Sequence, residues 1–216
     1  MNCPIRTYFF NIRIYFVKTF NYVSHMVILK NKYFLIIENI KDISLENIKK
    51  RFKFNIIYRN NKKLEDLHKL IIFRKECKSK DIKFFVANDY NLSSKLKADG
   101  IYLSAFNKDL KYLNYMKSNF IIIGAAHNIK EINLKIKQGC KYILLSRLFQ
   151  VFYKPEMNYL GINRFNFYAS NIFKKIVALG GINTSNINKM KIVNCDSFAL
   201  MTEIKKKPAK IFSRLF

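Results

Sequence analysis

Gly180 and Gly181 stand side by side in the stretch VALGGINTSN, in a chain with only 6 glycines among 216 residues. They follow an apolar run and precede a polar stretch whose helix Thr184 or Ser185 would open. Glycine lets the backbone turn with φ > 0 and approach a neighbour closely. A glycine pair at a strand-to-helix turn is therefore suited to holding a phosphate through backbone N–H groups, with Thr202 across from it. The other residues equipped for ionic or proton chemistry are Arg59, Asn88, Asp89, His127 and Lys154. Guanidinium and ammonium groups grip anions. An Asn-Asp pair before a helix makes a good N-cap, which competes with a ligand role for Asp89. An imidazole moves protons near neutral pH, although a lone histidine at a strand end is more often a hydrogen-bonded structural residue. His25 and His68 receive no role.

These residues share a position only if the chain folds in a particular way. From residue 33 onward, short apolar runs alternate with longer amphipathic ones. The apolar runs are YFLII (33–37), NIIY (55–58), IKFFV (82–86), GIYL (100–103), FIII (120–123), YILL (142–145), KIVAL (175–179) and SFALM (197–201). Their length and polar or glycine borders predict buried parallel strands. Helices are predicted in LEDLHKLIIFRKECKSK, KDLKYLNYMKSN, IKEINLKIKQG and TSNINKMKIVN, the first with Leu64, Leu67, Ile71 and Ile72 on its buried face. Strands alternating with helices predict an α/β fold with right-handed crossovers, here a single (β/α)8 TIM barrel. A doubly wound open sheet is the alternative. In a barrel the strand C-termini form one rim, where active sites lie, and Arg59, Asn88, Asp89, His127, Lys154, Gly180, Gly181 and Thr202 all follow strands. The barrel is assigned to residues 30–216, with 1–29 as an N-terminal extension or a stretch preceding the true start, Met26 being available.

Composition narrows the partners. With 40 Lys+Arg against 14 Asp+Glu, the formal charge is +26. The lysines are spread along the whole chain, and the richness in Asn, Ile, Phe and Tyr without Trp points to general compositional drift rather than a polyanion site. The excess would still draw phosphorylated substrates by long-range attraction. Four scattered cysteines, Cys3, Cys77, Cys140 and Cys195, form no C-x-x-C pair and read as reduced thiols of a cytoplasmic protein. Arg6, Arg13 and Lys18 interrupt the aromatic N-terminus, so no run there approaches a membrane span.

Six segments in order resemble the thiamine phosphate synthase/TenI family. They are YRNNKK, FFVANDYNLSSKLKADGIYL, IIIGAAHN, QGCKYILLSRLFQVFYKPEMNYLG, VALGGINTSNI and CDSFALMTEI. The resemblance spans roughly residues 30 to 207. It implies an enzyme of thiamine biosynthesis that joins a pyrimidine pyrophosphate to a thiazole phosphate, with Mg²⁺ assisting the departure of pyrophosphate. Arg59, Asn88 and Lys154 would grip the pyrophosphate, Asp89 and Asn107 would face the metal, and Gly180, Gly181 and Thr202 would hold the thiazole phosphate. His127 matches a histidine linked in the TenI branch to thiazole tautomerisation. Its implied partners are small phosphorylated thiamine precursors, with a homo-oligomer also expected and no specific nucleic acid.

The sequence departs from the family pattern at several points. Asn107 stands where synthases carry a second acidic metal ligand, with Asp109 two residues on. The usual G-x-S-x-H is shortened to GAAH, read with Ala126 in place of the serine. Both hydroxyls of T-x-T-K are lost to Val151 and Tyr153. Ile57 replaces a glutamine, and Asn61 replaces a lysine, with Lys62 adjoining. Three readings follow: a coupling synthase with weakened metal binding, a tautomerase or phosphate-binding paralogue, and a non-catalytic basic barrel that binds polyanions.

Overall fold

The structure is a computed structural model that describes residues 33–46, 54–60, 65–115, 120–151 and 155–201. The expected extension at 1–29, Leu64, Lys154 and Thr202 lie outside the described residues. Eight short strands run parallel: β1 (Tyr33–Ile37), β2 (Phe54–Tyr58), β3 (Phe84–Ala87), β4 (Gly100–Leu103), β5 (Ile121–Ala126), β6 (Tyr142–Ser146), β7 (Lys175–Leu179) and β8 (Ser197–Leu200). They pair in chain order and close, β8 meeting β1 through Phe34–Ala199 and Leu35–Leu200. Closure rules out the open doubly wound sheet and realises the (β/α)8 barrel.

Alternation along each strand divides the core in two. Phe34, Ile36, Ile57, Phe85, Tyr102, Ile123, Leu144 and Val177 fill the barrel interior. Leu35, Ile56, Phe84, Val86, Ile101, Ile143 and Phe198 point outward and pack under the helices. These side chains are almost fully buried, each contributing about 1.5–3 kcal/mol against exposure.

Four α-helices are described: α1 (Leu67–Ser79), α2 (Tyr90–Lys95), α3 (Ile129–Lys137) and α4 (Gly161–Ser170). Helix α1 starts where Asp66 accepts a hydrogen bond from His68 N at 2.9 Å. Its buried face is Leu70, Phe73, Arg74 and Cys77; of the expected stripe among the described residues, Ile71 packs half-buried against the core and Leu67 and Ile72 do not. Leu67 and Ile72 are 36% and 53% exposed, so the helix is rotated from its apolar pattern. The reason is ionic as well as apolar: Arg74 pairs with Asp99 at 3.1 Å and donates to Lys97 O. Two expected helices are reduced to 3₁₀ turns among the described residues, at Lys111–Tyr115 and Ile187–Ile192. Helix α4 falls outside the helical stretches read from the sequence. Gly161, Asn163 and Asn166 are weak helix formers, and it buries only Phe165 and Ala169.

The N-terminal end of the barrel repeats one device. Asp99, before β4, accepts from Phe84 N at 2.8 Å, and Asp196, before β8, accepts from Ile176 N at 3.0 Å. Each carboxylate closes the entry of the preceding strand. The aspartate of ADGIYL is thus a structural group at the end of the barrel opposite the rim.

Candidate functional site

Arg59 leaves β2 with its N–H bonded to Ile37 O at 2.8 Å. Its guanidinium leans over the barrel mouth, where it hydrogen-bonds the hydroxyl of Tyr102 and donates Nη2 to Met201 Sδ at 3.1 Å. Burial pushes the Tyr102 phenol up from its ordinary range, and the nearby guanidinium pulls it back. Arg59 Nε is buried with no hydrogen-bond partner, and no carboxylate pairs with this cation among the described residues. A half-buried guanidinium held only by a neutral phenol and a thioether keeps its charge available for an anion. Tyr102 escaped the sequence reading. The signal was its period-2 place in GIYL, one residue before the strand end on the interior face.

The loops after β3 and β4 meet at Asn88. This residue takes φ +57, a left-handed conformation that asparagine tolerates better than most residues. Its backbone is fixed by Asn88 N to Tyr102 O at 2.8 Å and by the Tyr112 hydroxyl donating to Asn88 O at 3.2 Å. Its Oδ1 accepts from Ser104 N at 3.0 Å and from Asn107 Nδ2 at 3.3 Å. The two asparagines expected at the site therefore touch. Asp89 caps α2, its Oδ1 accepting from Leu92 N at 2.9 Å. Its Oδ2 makes no hydrogen bond among the described residues.

Asn107 turns its Oδ1 to Asp109 N at 3.0 Å, while Asp109 pairs with Lys111 at 2.7 Å. That ion pair holds the Asp109 carboxyl below its usual range. The described residues contain no cluster of three His, Cys, Asp or Glu side chains around a common point. The donor set is one spare carboxylate oxygen beside amides. Such hard oxygens fit a Mg²⁺ that arrives with its phosphate ligand, since this ion commonly takes one or two carboxylates plus phosphate oxygens.

His127 follows β5 and is oriented by Glu131. Glu131 Oε2 accepts from His127 N at 2.8 Å and lies 3.0 Å from His127 Nδ1. Asn128, the N-cap of α3, accepts from Glu131 N at 3.0 Å and donates Nδ2 to Glu131 Oε1 at 3.0 Å. This reciprocal capping pattern fixes the carboxylate, which fixes the ring and leaves Nε2 to act. The spacing Asn128 to Glu131 is a readable helix-start signature. The sequence reading gave Glu131 no part. The strand just before the histidine also changes one inference. Ala125 lines the barrel interior while Ala126 lies in the outer layer. A serine at 126 would thus face the helices, and the position open to the mouth is 125.

Gly180 and Gly181 have φ +100 and +69. What they approach is first of all the protein itself. A Cβ on Gly181 would lie 2.5 Å from Gln150 O and 2.6 Å from Phe149 C and O. On Gly180 it would lie 2.9 Å from Arg147 Cβ. The loops after β6 and β7 are laced together by Leu148 N to Leu179 O at 2.9 Å and Phe149 N to Gly180 O at 3.0 Å. The close approach expected of the glycine pair is therefore made first to the protein itself, and bulk at 181 collides with backbone. The turn beyond is built by Asn183, whose Oδ1 accepts from Ser185 N at 2.8 Å and Asn186 N at 3.2 Å, rather than opened by Thr184 or Ser185. Asn186 Nδ2 donates to Gly181 O at 2.7 Å. The N–H groups of Gly180, Gly181 and Ile182 donate to no acceptor among the described residues.

The fold and the sequence both have known counterparts. Residues 35–204 match the model of the family described as thiamine monophosphate synthase. A thiamine-phosphate synthase from Prochlorococcus marinus subsp. pastoris is 31% identical over 72% of this chain and 43% of its own length. One from Methanococcus vannielii is 24% identical over 57% of this chain and 60% of its own, and one from Dictyoglomus turgidum 27% identical over 71% and 70%. The match thus spans less than two thirds of the first two relatives. Among solved structures, a thiamine phosphate pyrophosphorylase from Pyrococcus furiosus superposes with TM-score 0.65 at 16% identity, covering 87% of this chain and 96% of the other. KGPDC from Streptococcus mutans, at TM-score 0.58 and 7% identity over 86% and 97%, shares the fold alone. With its motifs in order around a closed eight-stranded barrel, this chain belongs to the thiamine monophosphate synthase family.

Proposed function

We propose that this protein makes thiamine phosphate by joining a hydroxymethylpyrimidine pyrophosphate to a thiazole phosphate. The observation that carries the reading is Arg59, a half-buried guanidinium at the mouth with an unpartnered Nε and no carboxylate paired to it among the described residues. In the reaction the pyrimidine methylene–oxygen bond breaks and its electron pair leaves with pyrophosphate. The thiazole nitrogen lone pair then forms the new carbon–nitrogen bond. Charge builds on the leaving group, so fixed cations stabilise the transition state more than the ground state. Arg59 and Lys154 supply that charge, and Asn88 orients the pyrophosphate. Asp89, with Asn107 beside it, would hold Mg²⁺, which when bound neutralises part of the leaving group's charge. The N–H groups of Gly180, Gly181 and Ile182, with Thr202, hold the thiazole phosphate in an anion-binding turn.

The +26 charge favours encounter with such anions, and buried reduced thiols at Cys77 and Cys140 suit a cytoplasmic enzyme. No helix among the described residues is long and apolar enough to cross a membrane. A homo-oligomer remains part of the proposal.

A second reading has its own observation. The Glu131-oriented His127 is built for proton transfer, which coupling does not require but tautomerisation of a thiazole carboxylate phosphate does. The deciding experiment is a coupling assay with both substrates and Mg²⁺, run beside a tautomerase assay. Coupling activity lost on Arg59→Met supports the first reading. Tautomerisation without coupling, lost on His127→Ala, replaces it with the second.

A further inference from the structure

Lys135 lies in the middle of α3 at a position facing the sheet, and it is fully buried. Its stem crosses Gly124 of β5: a Cβ there would sit 2.7 Å from Lys135 Cδ and 2.8 Å from its Cγ. The absent side chain of Gly124 is the trough in which the lysine runs. All three ammonium protons are used, Nζ donating to Ser104 O at 2.8 Å, Asn107 O at 2.7 Å and Gln138 Oε1 at 2.9 Å. Gln138, also fully buried, donates Nε2 to Asn107 O at 3.1 Å and Asp109 O at 2.8 Å. The loop after β4 therefore stands on two side chains, one within α3 and one at its C-cap.

Stability alone does not account for this arrangement. No carboxylate forms an ion pair with Lys135 among the described residues, and a buried ammonium without one is costly to desolvate. What the charge does is turn the loop's carbonyls inward. With carbonyls 104, 107 and 109 held below, the opposite face of the loop carries Asn107 against Asn88 and Phe106, 86% exposed, with its ring centroid 6.4 Å from that of His127.

We propose that Lys135 and Gln138 are positioning residues of the active site: a buried ammonium and amide that set loop 104–109 against the rim without touching substrate. The proposal rests on the anion-binding rim put forward above. Its role is to fix where Asn88 meets the pyrophosphate and where Asn107 faces the Mg²⁺ bound with it, so removing the charge should be felt as lost binding of pyrophosphate with Mg²⁺.

Lys135→Met keeps the stem and deletes the donors. Two measurements on the full-length protein test it, amide hydrogen exchange and calorimetric binding of inorganic pyrophosphate with Mg²⁺. Expected is faster exchange confined to residues 104–110 and binding weakened about tenfold, the effect of losing charged hydrogen bonds. In an Asn107→Ala background the same change should weaken binding less than about twofold, because contacting residues couple. Should Lys135→Met not fold, Gln138→Leu, which leaves the Lys135 bonds to Ser104 and Asn107, takes its place with the same expectations. A wild-type protein that binds no pyrophosphate overturns the rim and the positioning role together. Wild-type binding that survives Lys135→Met, or penalties that add fully with Asn107→Ala, overturns the positioning role alone and leaves the rim standing.

Discussion

Replacing Gly181 by alanine should unfold this barrel far more readily than replacing Gly161 by alanine, although both glycines have nearly the same φ. Gly181 has φ +69 and Gly161 φ +67, so each substitution pays a left-handed penalty of about 1–2 kcal/mol. The surroundings differ. Around Gly161 a new Cβ meets nothing within 4 Å, whereas at Gly181 it meets Gln150 O at 2.5 Å and Phe149 C and O at 2.6 Å. Those atoms are backbone, tied by Phe149 N to Gly180 O, and cannot swing aside as a side chain can. Overpacking against such a wall adds about 1–3 kcal/mol. The expected loss is therefore about 3 kcal/mol for Gly181→Ala against about 1 kcal/mol for Gly161→Ala. For a domain of this size that is a fall in Tm of roughly 6–12 °C against 2–4 °C. Thermal and urea denaturation of both variants beside wild type measure it. Equal losses would show that the two loops do not interlock, and that the glycine pair is reserved for a ligand alone.

Other outcomes can be measured alongside. Asp89→Ala should abolish coupling and, by removing the cap of α2, cost about 1 kcal/mol of stability. Asn107→Asp should lower the Mg²⁺ concentration needed for half-maximal coupling; an unchanged requirement would remove Asn107 from the metal's surroundings. Glu131→Gln should leave the fold intact while slowing any tautomerase turnover, because the ring of His127 loses its charged acceptor. Burial pushes the Cys77 and Cys140 thiols up to about 12 from 9.0, so the unfolded chain releases these protons first and stability falls as pH rises from 9 toward 12. At pH 10 each thiol should have removed about 1.4 kcal/mol, and Cys140→Ala should flatten the decline in urea midpoint between pH 8 and 10. Binding to duplex DNA should be weak, independent of sequence and steeply salt-dependent; tight binding at physiological salt would favour the polyanion reading.

The barrel was legible because its strands are written in short apolar runs whose ends the chain punctuates. KIVAL and YFLII coincide with β7 and β1 residue for residue. The helices were less so. Helix α1 is turned by Arg74, whose partner Asp99 lies beyond the end of the helix, and no periodicity within the helix contains that contact. Helix α4 buries too few apolar residues to raise a pattern. Residue types and strand ends brought Arg59, Asn88, Asp89 and His127 onto one rim, and the family resemblance added Asn107, but the side chains that hold them were not marked by either. Tyr102 reaches Arg59 from across the mouth, and Glu131 reaches back one helical turn to His127. Lys135 was hidden for another reason: on an amphipathic helix a lysine reads as a solvent-facing residue, and only the trough at Gly124 reveals that it points inward.

The interlock of the loops after β6 and β7 also bears on how this sequence can change. What touches Gly181 is the main chain of Phe149 and Gln150, so the contact makes no demand on which side chains those two positions carry. The constraint is one-sided: one position admits a single residue type, and its partners admit many. In a chain rich in lysine and the aromatics, the side chains at 149 and 150 can change while Gly181 opposite stays fixed. One of only 6 glycines is thereby pinned by geometry that involves no ligand.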